Sequence, residues 1–314
     1  MAGAIATTNQ RSIANKQPKF SVFMNQENIK NLVQQAVGQN AQSFTTAIIS
    51  AVSNNPALQE CTQTTILAAA LQGEALKLSP SPQLGQYYML PFNKKDKQGN
   101  IVEVNAQFIL GAKGYKQLAM RSGQYADIDV MEIKEGEYKG RDKLTGKQKF
   151  EFVEDDDVRD SLPTIGYMAY FELLNGFRKT VYWTKQKMIT HADTYSPAFS
   201  AEKYDDFVNG RIPQKELYKY SSFWYKNFDE MAYKTLLRHL ISQWGVMSIE
   251  MQKAIDIDNT VINENGERSY VELEDPLLAT QVETPAAAEE ETQPEVITPD
   301  ENKEFDFFAD NEEK

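Results

Sequence analysis

Apolar residues in the N-terminal third of the chain recur at helical spacing. Between residues 28 and 52 they fall three and four positions apart, in two groups on either side of Gly38, and this spacing predicts two helices. A third helix is predicted over residues 64–78, where the spacing continues until a turn that contains two prolines. The first 19 residues are polar and aperiodic and are predicted to be disordered.

The middle of the chain changes to the composition that is typical of strands. The segments QYYMLPF and IVEVNAQFIL flank the polar stretch NKKDKQGN, which predicts a hairpin with a basic tip. Helical spacing returns in TKQKMITHA and in a long helix predicted over residues 223–244. This order predicts an α+β fold in which a small antiparallel sheet packs with helices. Further strands are predicted over residues 127–133, 147–153, 164–173 and 178–183.

Charge is divided unevenly along the chain. From Asp256 to the C-terminus there are 19 acidic and 3 basic residues, a net charge of −16, whereas the preceding residues hold 26 acidic and 30 basic residues, a net charge of +4. A mildly basic body joined to an acidic tail is a hint of nucleic-acid binding. The sequence therefore predicts a disordered segment (1–19), a core that is a candidate for DNA binding (20–258) and an acidic, disordered tail (259–314). The tail tip, EFDFFADNEEK, is a candidate docking motif through Phe305, Phe307 and Phe308.

The groups that enzymes use are not arranged to work together in this sequence. Cys61 is the single cysteine and the two histidines have no cysteine or histidine cluster beside them, so neither a disulfide nor a zinc site is predicted. The stretch GRDKLTGKQ has five residues between its glycines where a P-loop has four, and it suits an exposed hairpin turn. The acidic run at 154–157 is typical of a solvated loop. We expect a cytoplasmic protein without catalytic residues, metal or cofactor.

Phosphate binding without catalysis is the interpretation that remains, and it depends on the segment FILGAKGYKQLAMRSG. If a strand ends at Leu110 and a helix follows, two glycines let the backbone approach an anion at the helix N-terminus. Three cationic side chains and a tyrosine accompany them. A solvated basic helix face is the alternative, and the sequence leaves it open. The candidate residues are Gly111, Lys113, Gly114, Tyr115, Lys116 and Arg121.

A second candidate surface lies on the long helix predicted over residues 223–244. An apolar stripe at helical spacing predicts its core face, and Lys226, Lys234 and Arg238 are predicted to lie off that stripe, available to phosphate. Glu230 precedes Lys234 by four residues, so a local ion pair worth only ~0.3–0.5 kcal/mol is expected. Trp224 is either a core residue or a stacking platform for a base.

Four segments stand out along the chain: GQYYMLPF, ILGAKGYKQLAMRSG, FDEMAYKTLLRHL and MSIEMQKAI. In order and spacing they resemble the RecT family of phage single-strand DNA annealing proteins, and the resemblance covers roughly residues 20–257. The chain departs from the family pattern at Tyr233 and His239, where a second basic residue is common, and over residues 243–247. The resemblance implies that the family's usual basic positions and its Gly-x-x-Gly turn fall here on Lys113, Arg121, Lys234, Arg238, Gly111 and Gly114.

The resemblance also implies an activity and partners. We expect a protein that binds single-stranded DNA and the annealed duplex without ATP, as a homo-oligomeric ring or helical filament. A phage 5′→3′ exonuclease and a host single-strand binding protein are the expected protein partners, and no membrane is involved. A protein that protects single strands without pairing them and a metal-dependent nuclease using residues 154–157 are the alternatives. The acidic tail either screens the DNA groove, docks a partner or keeps the protein in solution.

Overall fold

The computed structural model of the chain describes residues 18–95, 98, 101–220, 222–258, 260–262 and 268–270. Its N-terminal part is helical, as the periodicity predicted. Pro56 occupies the first position of one short helix, and the side chain of Asn55 accepts the N–H of Ala57 at 3.2 Å, a common way to start a helix. The helices are α1 (Phe20–Met24), α2 (Glu27–Val37), α3 (Ala41–Ser53), α4 (Pro56–Gln59) and α5 (Gln63–Ala75).

The predicted hairpin is confirmed. Strands β1 (Tyr87–Lys95) and β2 (Ile101–Leu110) pair antiparallel along their length. The ring of Tyr87 stacks on Phe108 with centroids 4.9 Å apart and lies against α5, where a Cβ on Gly73 would come within 2.3 Å of it. The missing side chain at Gly73 is therefore what lets the hairpin rest on that helix.

A three-stranded antiparallel sheet forms the centre of the molecule. Its strands are β3 (Tyr125–Lys134), β6 (Thr164–Leu173) and β7 (Arg178–Thr184), in the order β3-β6-β7. Alternate residues of the central strand, Tyr167, Ala169 and Phe171, are fully buried, as expected for a strand with one face on the core. The predicted bounds of β6 match the structure to the residue.

The connection from β3 to β6 contains a small hairpin and a short helix. These are β4 (Tyr138–Arg141), β5 (Gln148–Phe150) and α7 (Asp156–Ser161). Gly146 has φ +71° in the hairpin turn, as predicted for GRDKLTGKQ. The acidic run at 154–157 is exposed, as predicted, but it is not entirely a loop. Asp155 caps α7 by accepting the N–H of Val158 at 3.1 Å, so Asp156 and Asp157 lie in the helix. No group of three or more His, Cys, Asp or Glu side chains able to hold a metal occurs in the described ranges.

Helices form most of the C-terminal part. The single helix predicted over residues 223–244 is two helices, because Asn227 with φ −138° and ψ 57° interrupts it. Among the residues that the structure describes, no helix is long and apolar enough to cross a membrane. The elements are α8 (Lys185–Tyr195), α9 (Ala201–Val208), α10 (Phe223–Lys226), α11 (Phe228–Trp244), α12 (Ile249–Asp258), β8 (Thr260–Ile262) and β9 (Arg268–Tyr270).

Together these elements confirm the predicted α+β class. Two short strands follow residue 258, where the core was predicted to end. The described residues group as one compact unit, and a second unit, residues 281–314, lies wholly outside them. The same holds for the candidate docking residues Phe305, Phe307 and Phe308.

Candidate nucleic-acid interface

The basic segment forms the strand, turn and helix that its sequence predicted. Strand β2 ends at Leu110, and helix α6 (Ala112–Arg121) begins after Gly111. Leu118 and Ala119 are buried on its inner face, whereas Lys113 and Gln117 are exposed on the outer face. The helix therefore presents a polar, basic face away from the core.

The two glycines of this segment leave space that the protein itself fills. A Cβ at Gly111 would lie 2.2 Å from the carbonyl oxygen of Gly85, and one at Gly114 would lie 2.1 Å from that of Gln86. The N–H of Gly111 also donates to the carbonyl oxygen of Gln86 at 2.9 Å. In this structure the glycines let the chain leading into β1 cross the start of α6, and their contact with an anion stays a prediction.

The three cationic side chains of α6 differ in how many contacts they already make with other residues of the protein. Lys116 forms an ion pair with Asp129 of β3. Arg121 donates from Nη1 to the carbonyl oxygens of Leu76 at 2.9 Å and Lys77 at 3.2 Å, where the end of α5 leaves carbonyls without helical partners. Lys113 is exposed and has no recorded ion pair with any described residue, so it is the most available of the three.

A buried carboxylate joins the two segments that the sequence singled out. Asp258, at the end of α12, is 1% exposed. Its Oδ1 accepts from the backbone N–H of Leu110 at 2.6 Å and from Nζ of Lys234 at 3.0 Å, and its Oδ2 accepts from the hydroxyl of Tyr115 at 3.2 Å. Tyr115 is fully buried, so its ring is closed to a base in this arrangement.

Helix α11 is buried on more sides than its apolar stripe predicted. Lys234 and Arg238 are 6% and 8% exposed, so the prediction that they lie off the buried face is wrong. The recorded ion pair of Lys234 goes to Asp258 and not to Glu230. The physical reason is that α11 packs on the sheet with one side and on α6 with another, which leaves little of its circumference to solvent.

The periodicity of α12 contains a sequence signal for the burial of Asp258. In α12, the buried residues Met251, Ala254 and Ile255 recur at helical spacing, and Asp258 continues the same stripe. A carboxylate in line with an apolar face needs a buried partner. That pattern predicts a buried cation elsewhere in the core, although it does not say which one.

An apolar crevice of about 30 Å³ opens where α6 begins. The half-buried rings of Tyr88 and Phe223 on its wall lie 6.1 Å apart. Burial raises the pKa of Tyr88, and the nearby charge of Glu230 raises it further. A carboxylate therefore already lies near the start of α6. The crevice is lined by Tyr88, Ile109, Leu110, Gly111, Ala112, Phe223, Asn227, Glu230 and Met231.

A second cavity, of about 20 Å³, lies between α8 and α11, and Met231 belongs to the walls of both spaces. Helix α10 contributes to the walls of both spaces as well, through Phe223 and Trp224. The helix ends at Lys226, which is exposed and forms no ion pair with the described residues. Trp224 is 4% exposed and thus a core residue. We call this second space the α8–α11 cavity; its lining residues are His191, Ala192, Tyr195, Ser196, Trp224, Met231, Lys234, Thr235 and Arg238.

An aromatic and basic cluster lies at the far end of α11. The ring of Trp183, 3% exposed, has the rings of His191 and His239 at 5.3 and 5.0 Å and Nζ of Lys187 at 4.2 Å from its centroid. His239, where the sequence departs from the family pattern, is buried in this cluster. Trp244 is 38% exposed, so it is the tryptophan with a free surface.

The chain is similar to known proteins over the range that contains these residues. The sequence model of the RecT family matches residues 42–272, which contain α6, α11 and α12. The uncharacterized protein YqaK of Bacillus subtilis (strain 168) is 34% identical over 262 residues, covering 82% of this chain and 79% of that protein. Protein RecT of Escherichia coli (strain K12) is 28% identical over 259 residues, covering 80% of this chain and 84% of that protein.

Proposed function

The chain belongs to the RecT family, and from that premise we propose that it binds single-stranded DNA and anneals complementary strands in phage-type homologous recombination. The observation that carries this proposal is the family match over residues 42–272, which includes the whole candidate interface. The proposed activity uses no ATP, metal or catalytic residue. We place it in the cytoplasm of a bacterial host.

The chemistry of the interface is consistent with annealing. A protein that pairs strands must leave the base edges open, so it holds phosphates, which carry no sequence information. Lys113 on α6 and Lys226 on α10 are exposed cations without a recorded partner among the described residues, on the helices that border the apolar crevice. They are our first candidates for contact with the DNA backbone, with Lys116 and Arg121 beside Lys113.

We propose that the active form is a homo-oligomer, either a ring or a helical filament. The few available cations in each subunit imply weak, salt-sensitive binding by a single copy. Many copies side by side on one strand bind with a much higher combined affinity. Preferential binding to the paired product would then drive annealing by mass action.

Protein partners are assigned to the tail. Three phenylalanines within an acidic sequence, Phe305, Phe307 and Phe308, are suited to insertion into an apolar groove of another protein. A phage 5′→3′ exonuclease and a host single-strand binding protein are the candidates. Because the tail (259–314) carries a net charge of −14, we expect it to stay away from the DNA backbone.

The double variant Lys113→Gln/Lys226→Gln is expected to slow the pairing of two complementary oligonucleotides, with no nucleotide or metal present. For single-stranded DNA, the slope of the logarithm of the association constant against the logarithm of the salt concentration changes by about 0.7 for each phosphate contact. Removing both lysines should therefore make this slope less steep by about 1.4. Annealing rate and oligonucleotide affinity would both be measured at several salt concentrations.

The control is Lys30→Gln/Lys143→Gln, which removes the same charge from exposed positions on α2 and on the turn between β4 and β5. It should leave the slope near that of the unmodified protein. Equal slopes for both double variants would reject Lys113 and Lys226 as DNA contacts. Tight coating of single strands by the unmodified protein without faster pairing would identify a protecting protein instead.

A further inference from the structure

The α8–α11 cavity holds an arginine whose charge has no partner among the described residues. Arg238 is 8% exposed, and its Nε is shielded from water and donates to nothing. In the part of the chain that the structure describes, its guanidinium has no recorded hydrogen bond or ion pair. A cation withdrawn from water without an anion is unfavourable. This arrangement indicates that an anionic ligand completes the site.

The other polar groups of the cavity favour an anion with oxygen atoms. The hydroxyls of Ser196 and Thr235 line the cavity and are potential donors. The ammonium of Lys234 also lines it, but its charge is balanced by Asp258 at 3.0 Å. No carboxylate lines the cavity in the described structure, so the charge of Arg238 is the one left unbalanced.

The size of the cavity limits what can enter. Its volume of about 20 Å³ compares with the ~10–15 Å³ that one water molecule needs. His191 and Tyr195 are half-buried, whereas the other lining residues are buried, so the opening to solvent lies beside these two. The cavity therefore has room for one or two oxygens of a small oxyanion, whose other atoms must lie at the opening, and it excludes a nucleobase.

We propose that Arg238 and the cavity it lines form a binding site for one phosphate group. The planar guanidinium holds two phosphate oxygens at once, which an ammonium does not do. Ser196 and Thr235 are potential donors to the same oxygens inside the cavity, and the rest of the phosphate lies at the opening beside His191 and Tyr195. Inorganic phosphate and a phosphate of the DNA backbone share this chemistry. Occupation by DNA rests on the proposed function, whereas binding of free phosphate does not.

The test is thermal unfolding of the full chain with inorganic phosphate, using chloride at equal ionic strength as the reference. Phosphate at about ten times its dissociation constant should raise the midpoint by about 2–4 °C. In Arg238→Met, which keeps the length of the side chain without its charge, phosphate affinity should fall at least tenfold. Without phosphate this variant should be at least as stable as the unmodified protein, because it removes an unpaired buried charge.

A second variant keeps the proposal testable if Arg238→Met does not fold. Thr235→Val removes one donor and no charge, and it should weaken phosphate binding several-fold, whereas Lys30→Met on α2 should not change it. The same phosphate-specific shift in Arg238→Met as in the unmodified protein, or no shift in the unmodified protein, would overturn the proposal.

Competition with an oligonucleotide distinguishes the two sources of phosphate. If DNA occupies the site, inorganic phosphate should weaken oligonucleotide binding more than chloride of equal ionic strength does, and Arg238→Met should abolish that difference. If the difference is absent while phosphate still raises the midpoint, the site takes free phosphate. Failure of the annealing assay would reject the proposed function and leave the phosphate result unaffected.

Discussion

Asp258→Asn is expected to lower the free energy of unfolding by about 3–5 kcal/mol. The substitution keeps the shape of the side chain but leaves the buried ammonium of Lys234 without a counter-charge. Asp258 now accepts hydrogen bonds from Leu110 on one oxygen and from Tyr115 on the other. In asparagine one of these oxygens is replaced by an amide nitrogen, which cannot accept, so one of the two hydrogen bonds is lost. Urea unfolding would measure the loss, and Asp256→Asn on the exposed side of the same helix should cost little.

A second substitution separates the contribution of the buried Lys234–Asp258 ion pair from other effects of Asp258→Asn on the stability of α12. Adding Lys234→Met to Asp258→Asn removes the unpaired charge, so the double variant should recover part of the lost stability. A loss below about 1 kcal/mol in Asp258→Asn would mean that the carboxylate does not hold these elements together.

Gly114→Ala is expected to lower the free energy of unfolding by about 3 kcal/mol. This is the upper end of the usual cost of adding a methyl group where the space is already filled. The added methyl group would lie 2.1 Å from the carbonyl oxygen of Gln86 and 2.7 Å from Cδ1 of Leu110. Because the first of these is a backbone atom, it cannot move aside by a change of rotamer. The start of α6 and the chain leading into β1 must separate instead.

The control for Gly114→Ala is Gln117→Ala, at an exposed position of the same helix. Both would be compared by urea unfolding and by oligonucleotide binding at a temperature where each remains folded. Packing alone predicts that folded Gly114→Ala retains most of its DNA affinity. Unchanged stability together with lost DNA binding would support the interpretation that the glycine admits an anion.

Local patterns predicted most of the secondary structure. The predicted strand over residues 164–173 has the bounds of β6, and the spacing between glycines excluded a P-loop at Gly146. Asp155 shows where a local signal was misinterpreted, since a cap residue followed by acids is also how a helix begins. The break between α10 and α11 at Asn227 was not visible because the apolar stripe continues across it.

Contacts between distant segments could not be predicted in the same way. The partner of Lys234 lies 24 positions further along the chain, and the backbone that fills the space at Gly111 comes from Gly85. The sequence predicted the helices that carry the candidate residues but not the side of α11 that faces solvent. The unpaired state of Arg238 depends on how α8 and α10 pack against α11, which no local pattern describes.

The three tryptophans of the chain lie in three different surroundings. Trp183 packs against two imidazole rings, Trp224 forms a wall of the α8–α11 cavity, and Trp244 is 38% exposed. Because indole emission responds to water and to nearby charge, the protein contains its own optical reporters. Variants that keep one tryptophan and replace the other two by phenylalanine would let emission at position 224 follow the filling of the cavity, without any attached dye.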